Sequence, residues 1–314
     1  MNNRIKYTFL LPAYKPDFFR KALDSIKCQT FTDFKVIVSD DCSPNDLKSI
    51  FDDVCSQDKR FQFRKNHVNM GSKSLVSHWN LLVDMCDTEF LIMASDDDVY
   101  EPNFLEEADS LLQKYSKANL LRARSRVIDG DGNIKSEENA MDEWLDNLHF
   151  IHRIYLKDWA GGIASFIYRT KRLKEVGNFI DFPSAWFSDD VTNFVMANEG
   201  CCLTKNIAFN VRNSDVNISG QWGNPEDSRK KMQATYMNYK WMKSFMQKFD
   251  GYNDVDFLEN VTTEYKYKVY TNVQSYIYSC HIFPFLKYLL QCPTDIGLSK
   301  PRMLAHYFRN KLKI

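Results

Sequence analysis

Short apolar runs of strand length alternate with stretches of helical periodicity through the first 115 residues, and this alternation restricts the fold more than any other feature of the chain. Residues 7–11 form an apolar run closed by Pro12 and read as a strand buried on both faces. Residues 17–28 place Phe18, Phe19, Ala22, Leu23 and Ile26 on one helical face. A second strand fits residues 35–39, after which Ser43 and Pro44 offer an N-cap and a first-turn proline for a helix reaching about residue 54. A third strand fits residues 61–64, and residues 74–86 carry Leu75, Val76, Trp79, Leu82, Val83 and Cys86 at helical spacing. Residues 90–94 read as another buried strand, and Pro102 opens a helix with Phe104, Leu105, Ala108, Leu111, Leu112 and Tyr115 along one face.

Strand and helix alternating at this interval imply right-handed crossovers, hence an α/β fold with a mostly parallel, Rossmann-like sheet and helices on both faces. In such sheets ligands bind at the carboxyl ends of the strands. Three polar clusters, residues 12–15, 40–43 and 95–98, each follow a predicted strand and so converge on one edge. Beyond Gly132 the pattern thins to a polar loop through Asn139, a short helix at 144–151, a strand at 163–168 and a helix at 189–198. From about residue 225, Met232, Tyr236, Tyr239, Met242, Phe245 and Phe249, then Val255, Leu258 and Val261, recur at helical spacing. The expected organisation is therefore a domain over 1–224, with halves meeting near residue 125, and a helical C-terminal region over 225–314.

A chain of 314 residues that is 44% hydrophobic can bury a sizeable core. No apolar run approaches the roughly 18 residues of a spanning helix, and the first six residues lack the apolar core of a signal peptide, so a cytoplasmic location is the expectation. None of the 8 cysteines stands in a Cys-x-x-Cys pair, which reads as reduced thiols. Residues 226–314 carry 14 Lys or Arg against 8 Asp or Glu within a chain of zero net charge. The last fifteen residues interleave Lys300, Arg302, Arg309, Lys311 and Lys313 with Met303, Leu304, Tyr307, Phe308, Leu312 and Ile314. That is the composition of a helix on the anionic inner face of a cell membrane, or of a basic face packed on the body of the protein. With a near-neutral pI and no basic-aromatic recognition motif, nucleic acid is not an expected partner.

Three consecutive carboxylates after a buried strand, Asp96, Asp97 and Asp98, repel one another unless a cation or hydrogen-bond donors neutralise them. Mg²⁺ or Mn²⁺ suits such a site, because these ions take one or two carboxylates and fill the remaining positions with water and phosphate oxygens. A solvated acidic turn before the helix at Pro102 is the alternative. Asp40 and Asp41 form a second acidic pair at a strand end, where one of the residues through Ser43 caps a helix and an aspartate is left to accept hydrogen bonds. Ser188, Asp189 and Asp190 precede the periodic residues Val191, Phe194 and Val195, and a simple helix cap explains them equally well.

Phe9 to Tyr14 with Ser25-Ile26 and Gln29-Thr30-Phe31, then Asp33-Phe34 and Val38 to Ser43, resemble the amino-terminal signature of family 2 glycosyltransferases with the GT-A fold. The likeness continues through Asn69-Met70-Gly71, Trp79-Asn80, Glu89-Phe90 and Ser95 to Asp98, covering about the first 125 residues. It resumes at Arg169, Val176-Gly177 and Asp189-Asp190. The resemblance implies that Pro12, Ala13 and Tyr14, with Asn69 and Gly71 nearby, line the nucleotide, that Asp41 accepts from the base and that Asp96 approaches the ribose. It implies Asp97 as metal ligand with Asp98 supporting the metal shell, and Asp190 as the general base of an inverting transfer. Asp189 stands where a Glu is more usual. Gly161 and Gly162, after Trp159, precede the strand expected to border the acceptor cleft, where they either permit close approach of a ligand or form an ordinary turn, and the Trp159 ring offers a face suited to a sugar.

The departures are specific. Lys15 replaces a common asparagine and reaches either a phosphate or solvent, and Ser214 stands where a histidine ligand often follows an arginine, here Arg212. No Gln-x-x-Arg-Trp motif is present, which favours single sugar addition over processive synthesis. His78 reads first as a packing residue. The expected activity is transfer of a sugar from a nucleotide diphosphate, UDP first, to a glycan or lipid-linked acceptor. A nucleotidyltransferase would need a glycine-rich loop after the first strand, and a nucleotide-sugar-binding module without turnover is the non-enzymatic alternative.

Overall fold

The computed structural model describes residues 5–157, 161–214, 225–277, 282–291 and 299–312. It comprises two compact units, one of Met1–Asp181 with Thr192–Ser214, the other of Phe182–Val191 with Asp215–Ile314. In chain order the first unit begins with β1 (Tyr7–Ala13), α1 (Phe19–Lys27), β2 (Phe34–Asp40), α2 (Leu47–Cys55), β3 (Phe61–Lys65), α3 (Leu75–Met85) and β4 (Phe90–Met93). It continues through β5 (Val99–Tyr100), α4 (Phe104–Lys114), β6 (Leu120–Ile128), β7 (Ile134–Glu137), β8 (Trp144–Leu145), α5 (Asn147–Phe150), β9 (Phe166–Arg169) and α6 (Thr170–Glu175). The helix α7 (Ser188–Met196) runs through both units, and β10 (Cys201–Arg212) completes the sheet.

The sheet order is β3-β2-β1-β4-β9-β6-β10-β5, with β7 added to β6 and β8 to β10. From β3 to β4 every pairing is parallel, as the alternating pattern requires. The strand β9 then runs antiparallel to both β4 and β6, so the far half is mixed even though β6 and β10 are parallel to each other. The central strand β1 is buried on both faces: Tyr7, Phe9 and Leu11 join the core with Phe19, Leu23 and Phe104, and Leu10 is equally inaccessible. Phe9 meets Phe34 and Tyr100 edge to face at 5.5 and 5.3 Å, arrangements worth about 0.5–1.5 kcal/mol each beyond area burial.

Local chemistry explains where the sequence reading departs from the structure. Helix α2 starts at Leu47 with Asp46 as its cap, accepting from the Ser49 amide, so Ser43 and Pro44 lie in the preceding turn. Trp144 and Leu145 pair with β10, and the helix expected over 144–151 begins only after Asp146 caps α5. Residues 163–165 coil into one 3-10 turn, which delays the expected strand to Phe166. Neither β6 nor β10 had an apolar-run signature, because in β6 Arg122, Arg124 and Arg126 alternate with small or apolar residues. Arg122 points into the core, fully buried, where its guanidinium forks onto Glu138, and Glu138 Oε2 also accepts from the Ser125 amide at 2.8 Å. Arg124 closes the same junction by donating to the Glu138 carbonyl.

The second unit contains α8 (Pro225–Met246), α9 (Val255–Ile277), α10 (Ile282–Gln291) and α11 (Lys300–Leu312). Met232, Tyr236, Tyr239 and Met242 form the buried stripe of α8, and Tyr239 lies parallel to Tyr265 of α9 with centroids 6.3 Å apart. Phe182–Val191 clusters with these helices. No helix among the described residues is long and apolar enough to cross a membrane.

Gly200 turns the chain into β10 at φ 102°, and a Cβ there would stand 2.2 Å from Trp144 Cζ2. Gly200→Ala therefore combines left-handed strain with overpacking and is expected to cost about 2 kcal/mol or more. An unchanged denaturant midpoint would show that β8 yields freely to the intruding methyl.

Candidate functional site

At the carboxyl ends of β1, β2 and β4 the backbone leaves the sheet ladder, and the loops there bond to one another. The amides of Tyr14 and Lys15 donate to Asp96 Oδ2 at 2.8 and 2.9 Å, pinning the loop after β1 to the loop after β4. The Asp41 amide donates to the Ala13 carbonyl at 2.9 Å, and Ser43 Oγ donates to the Tyr14 carbonyl at 2.7 Å. The three strand-end clusters of the sequence are thus stitched into one edge. Pro12 and Ala13 form its floor, and Tyr14 is exposed above them.

The two aspartates after β2 have different partners. Asp40 is buried, accepts from the Ser43 amide and pairs with Lys65 at 3.1 Å, so it closes the turn. Asp41 reaches the next loop, accepting from Asn66 Nδ2 at 2.8 Å and from the Met70 and Gly71 amides at 2.9 and 2.7 Å. Burial would raise its pKa, but these donors outweigh it and hold the carboxyl below the usual range. Gly71 has to be small, because a Cβ would come within 3.0 Å of Asp41 Oδ2. Asn69 shapes the same loop by accepting from the Ser72 amide at 2.8 Å. His78 stands behind the carboxylate, fully buried, with Nε2 2.9 Å from Ser39 Oγ and 3.2 Å from Asn66 Nδ2. Its Nδ1 is 3.7 Å from Asp41 Oδ1, and burial pushes its pKa down, so its role is to support the Asp41 network. Asn66 and His78 carried no sequence signal that separated them from ordinary packing.

The acidic run after β4 also divides its labour. Asp98 is buried, accepting from the Arg212 amide at 2.8 Å and from Ser95 Oγ. Asp96 spends one oxygen on the loop amides; burial, then Asp97, push its pKa up to about 6. Burial raises Asp97 as well, with Lys15, Ser95 and Arg212 pulling it back. Among the described residues no three or more His, Cys, Asp or Glu side chains gather as a metal cage. The donor set nevertheless fits Mg²⁺ or Mn²⁺, ions that accept one or two protein carboxylates and complete their shells with water and phosphate. Arg212 is buried at the end of β10, donates to the carbonyls of Asp97, Asp129 and Gly130, and lies 4.4 Å over the Phe18 ring. It organises the acidic loop, and Ser214 stands two residues after it.

In the second unit Asp189 and Asp190 open α7. Burial and then Asp189 push the Asp190 carboxyl far above the usual carboxylate range, against the opposing pull of Lys268 from α9. The approach to this helix is strained: Ser184, Ala185 and Phe187 have φ of 59°, 55° and 71°, each costing about 1–2 kcal/mol for an L-residue. The Phe182 amide donating to Ser188 Oγ at 3.0 Å holds the turn closed. Lys268 lies where the sequence resembled nothing named, so it was missed. Trp159 lies outside the described residues. Gly161 has φ 130° and a Cβ there would press on Ser165 Oγ at 3.0 Å, whereas Gly162 is in open space.

Residues 8–177 match the model of Glycosyl transferase family 2. The chain is 24% identical over 234 residues to poly(ribitol-phosphate) beta-N-acetylglucosaminyltransferase TarS of Staphylococcus aureus, covering 71% of this chain and 38% of that protein. It is 28% identical over 134 residues to the GalNAc(5)-diNAcBac-PP-undecaprenol beta-1,3-glucosyltransferase of Campylobacter jejuni, covering 42% of this chain and 41% of that one. The chain thus spans about two-fifths of the length of these curated relatives. Among solved structures, residues 1–349 of S. aureus TarS with UDP-GlcNAc superpose with a TM-score of 0.60 at 14% identity, covering 97% of this chain and 89% of that one. The mannosyltransferase PcManGT of Pyrobaculum calidifontis, with GDP-Man and Mn²⁺, gives 0.55 at 13% identity, covering 98% and 86%. The fold is GT-A, a mixed α/β sheet with helices on it and further helices at the C-terminus.

The raised pKa of Asp96 has a measurable consequence. Unfolded, this carboxyl ionises near the ordinary value of about 3.9; folded, it does so at about 6, so stability falls as pH rises through that interval and levels off above it. Asp96→Asn keeps an oxygen for the loop amides and removes the charge. Its melting temperature is expected to exceed that of the parent at pH 7.5, with the gain shrinking towards pH 4. A uniform loss of stability at both pH values would refute the assignment.

Proposed function

This chain belongs to glycosyl transferase family 2, and from that premise we propose that it moves a sugar from a nucleoside diphosphate, UDP first, to an acceptor hydroxyl with inversion at the anomeric carbon. The observation that carries the reading is the stitched edge of strand ends, where Asp96 and Asp41 shape two neighbouring loops from their amides. Pro12, Ala13 and Tyr14 receive the nucleotide, the Asn69 to Gly71 loop borders it, Asp41 reads the base, and Asp96 turns its other oxygen to the ribose.

Asp97 would hold a divalent cation with Asp98 fixed behind it, and that ion supplies Lewis-acid charge for the diphosphate when bound. Lys15, already close enough to stabilise the Asp97 carboxylate, adds positive charge beside the same phosphates. Asp190 acts as the base: the acceptor oxygen forms its bond to the anomeric carbon, the proton passes to Asp190, and the bond to the diphosphate breaks with its electron pair. A raised carboxyl pKa favours this role because it makes the carboxylate a better proton acceptor. Asp189, with Trp159, Gly161 and Gly162, is assigned to the acceptor. The named substrates of the relatives, a ribitol-phosphate polymer and an undecaprenol-linked glycan, support a polysaccharide or lipid-linked acceptor. Such an acceptor fits a cytoplasmic protein that touches the inner membrane face through its basic C-terminal region.

A thermal-shift screen of nucleotide sugars with and without Mn²⁺ is expected to show metal-dependent stabilisation by one donor. Asp97→Ala should abolish the metal-dependent part, and unchanged calorimetric binding of UDP with Mn²⁺ would remove Asp97 from the site. Asp190→Asn should bind donor normally yet transfer about 10²-fold more slowly or worse. Full activity in that variant would reassign the base.

A further inference from the structure

Within the second unit, α10 and α11 pack as a pair through the rings of Phe285 and Tyr307, stacked at 4.1 Å with 4° between their planes. Phe285, Leu289, Met303 and Tyr307 are buried. The opposite side of α10 is unusual for a protein surface: Phe283 is 81% exposed, Leu290 76% and Leu286 38%. Spaced three and four residues apart, they form one apolar stripe, with exposed Lys287 on its border. The exposed side of α11 has Phe308 in line with Pro301 and Ala305, with Arg302 and Arg309 on one flank and Lys311 on the other. Neither helix contains an acidic residue.

An apolar stripe edged by cations and free of carboxylates matches the boundary between acyl chains and anionic headgroups. The helices, of 10 and 13 residues, are too short to span a bilayer, so they would lie in its plane. A second copy of the chain fits this face poorly, because self-pairing would set Lys287, Arg302, Arg309 and Lys311 against their own kind. We infer that the α10–α11 pair is an in-plane anchor for an anionic phospholipid surface, with Phe283, Leu286, Leu290 and Phe308 entering the acyl boundary and the flanking cations meeting phosphates. This rests on the membrane-side reading of the C-terminal region given above and changes its physics: the hold is mainly apolar insertion by α10, with charge selecting the lipid.

The test is co-sedimentation of the full chain with vesicles of phosphatidylcholine alone or mixed with phosphatidylglycerol. The parent should bind the mixed vesicles and retain most binding in 0.5 M salt, where screening leaves the apolar part. Phe283→Ser with Leu290→Ser, both at exposed positions, should lower the partition coefficient at least tenfold, with circular dichroism unchanged. Arg302→Gln with Arg309→Gln should mainly remove the preference for phosphatidylglycerol. If the serine variant binds as the parent does and salt abolishes both, a purely electrostatic tail stands and the anchor is refuted. If the parent binds neither vesicle, the membrane reading itself fails, and donor binding decides the transferase reading separately. Concentration-dependent dimerisation lost on Phe283→Ser would assign the stripe to a second copy and overturn the proposal.

Discussion

Where the parallel strands of this sheet end, and in the loops beyond them, backbone amides are left without ladder partners, and in this protein aspartates take several of these amides. Asp96 holds Tyr14 and Lys15, Asp40 holds Ser43, Asp41 holds Met70 and Gly71, and Asp98 holds Arg212. Buried donors need acceptors, and a carboxylate can take several at once. The same bonds fix the loops of the candidate site. Within the Asp96 to Asp98 run, repulsion and desolvation are opposed by Lys15, Ser95 and Arg212.

The parallel half of the fold was legible because β1, β2 and β4 are buried on both faces and their helices show one apolar face each. Apolar period therefore tracked structure almost residue by residue. The far half was not legible for a reason visible in β6, where a buried arginine looks like a surface residue until Glu138 is seen beside it. The cap of α2 was misplaced because Ser43 spends its hydroxyl on the Tyr14 carbonyl, a tertiary use that propensity cannot anticipate. In the candidate site the sequence located the carboxylates but not their division of labour. Asp40 and Asp41 are adjacent and chemically identical, and only the surrounding donors separate a turn-closing residue from one that shapes the Asn69 to Gly71 loop.

The helical unit had the least readable sequence, yet it contains Asp190 together with Lys268. A carboxyl raised by burial and a neighbouring acid, then moderated by an ammonium, has a proton affinity that depends on two helices at once. Residues far along the chain thus tune a group that resemblance would assign from its own motif alone. The left-handed residues before α7 belong to the same economy, with strain at Ser184, Ala185 and Phe187 held by the packing around them.

The sealed pair of Arg122 and Glu138 couples two distant positions in the history of the chain. Removing either partner strands a charge in the core, at a cost of about 3–5 kcal/mol, so neither position can drift alone. Related chains should therefore keep both residues or replace both together, whereas the exposed strand β7 between them is free to vary. That correlated substitution would mark the β6–β7 hairpin in sequences too divergent to align by their motifs.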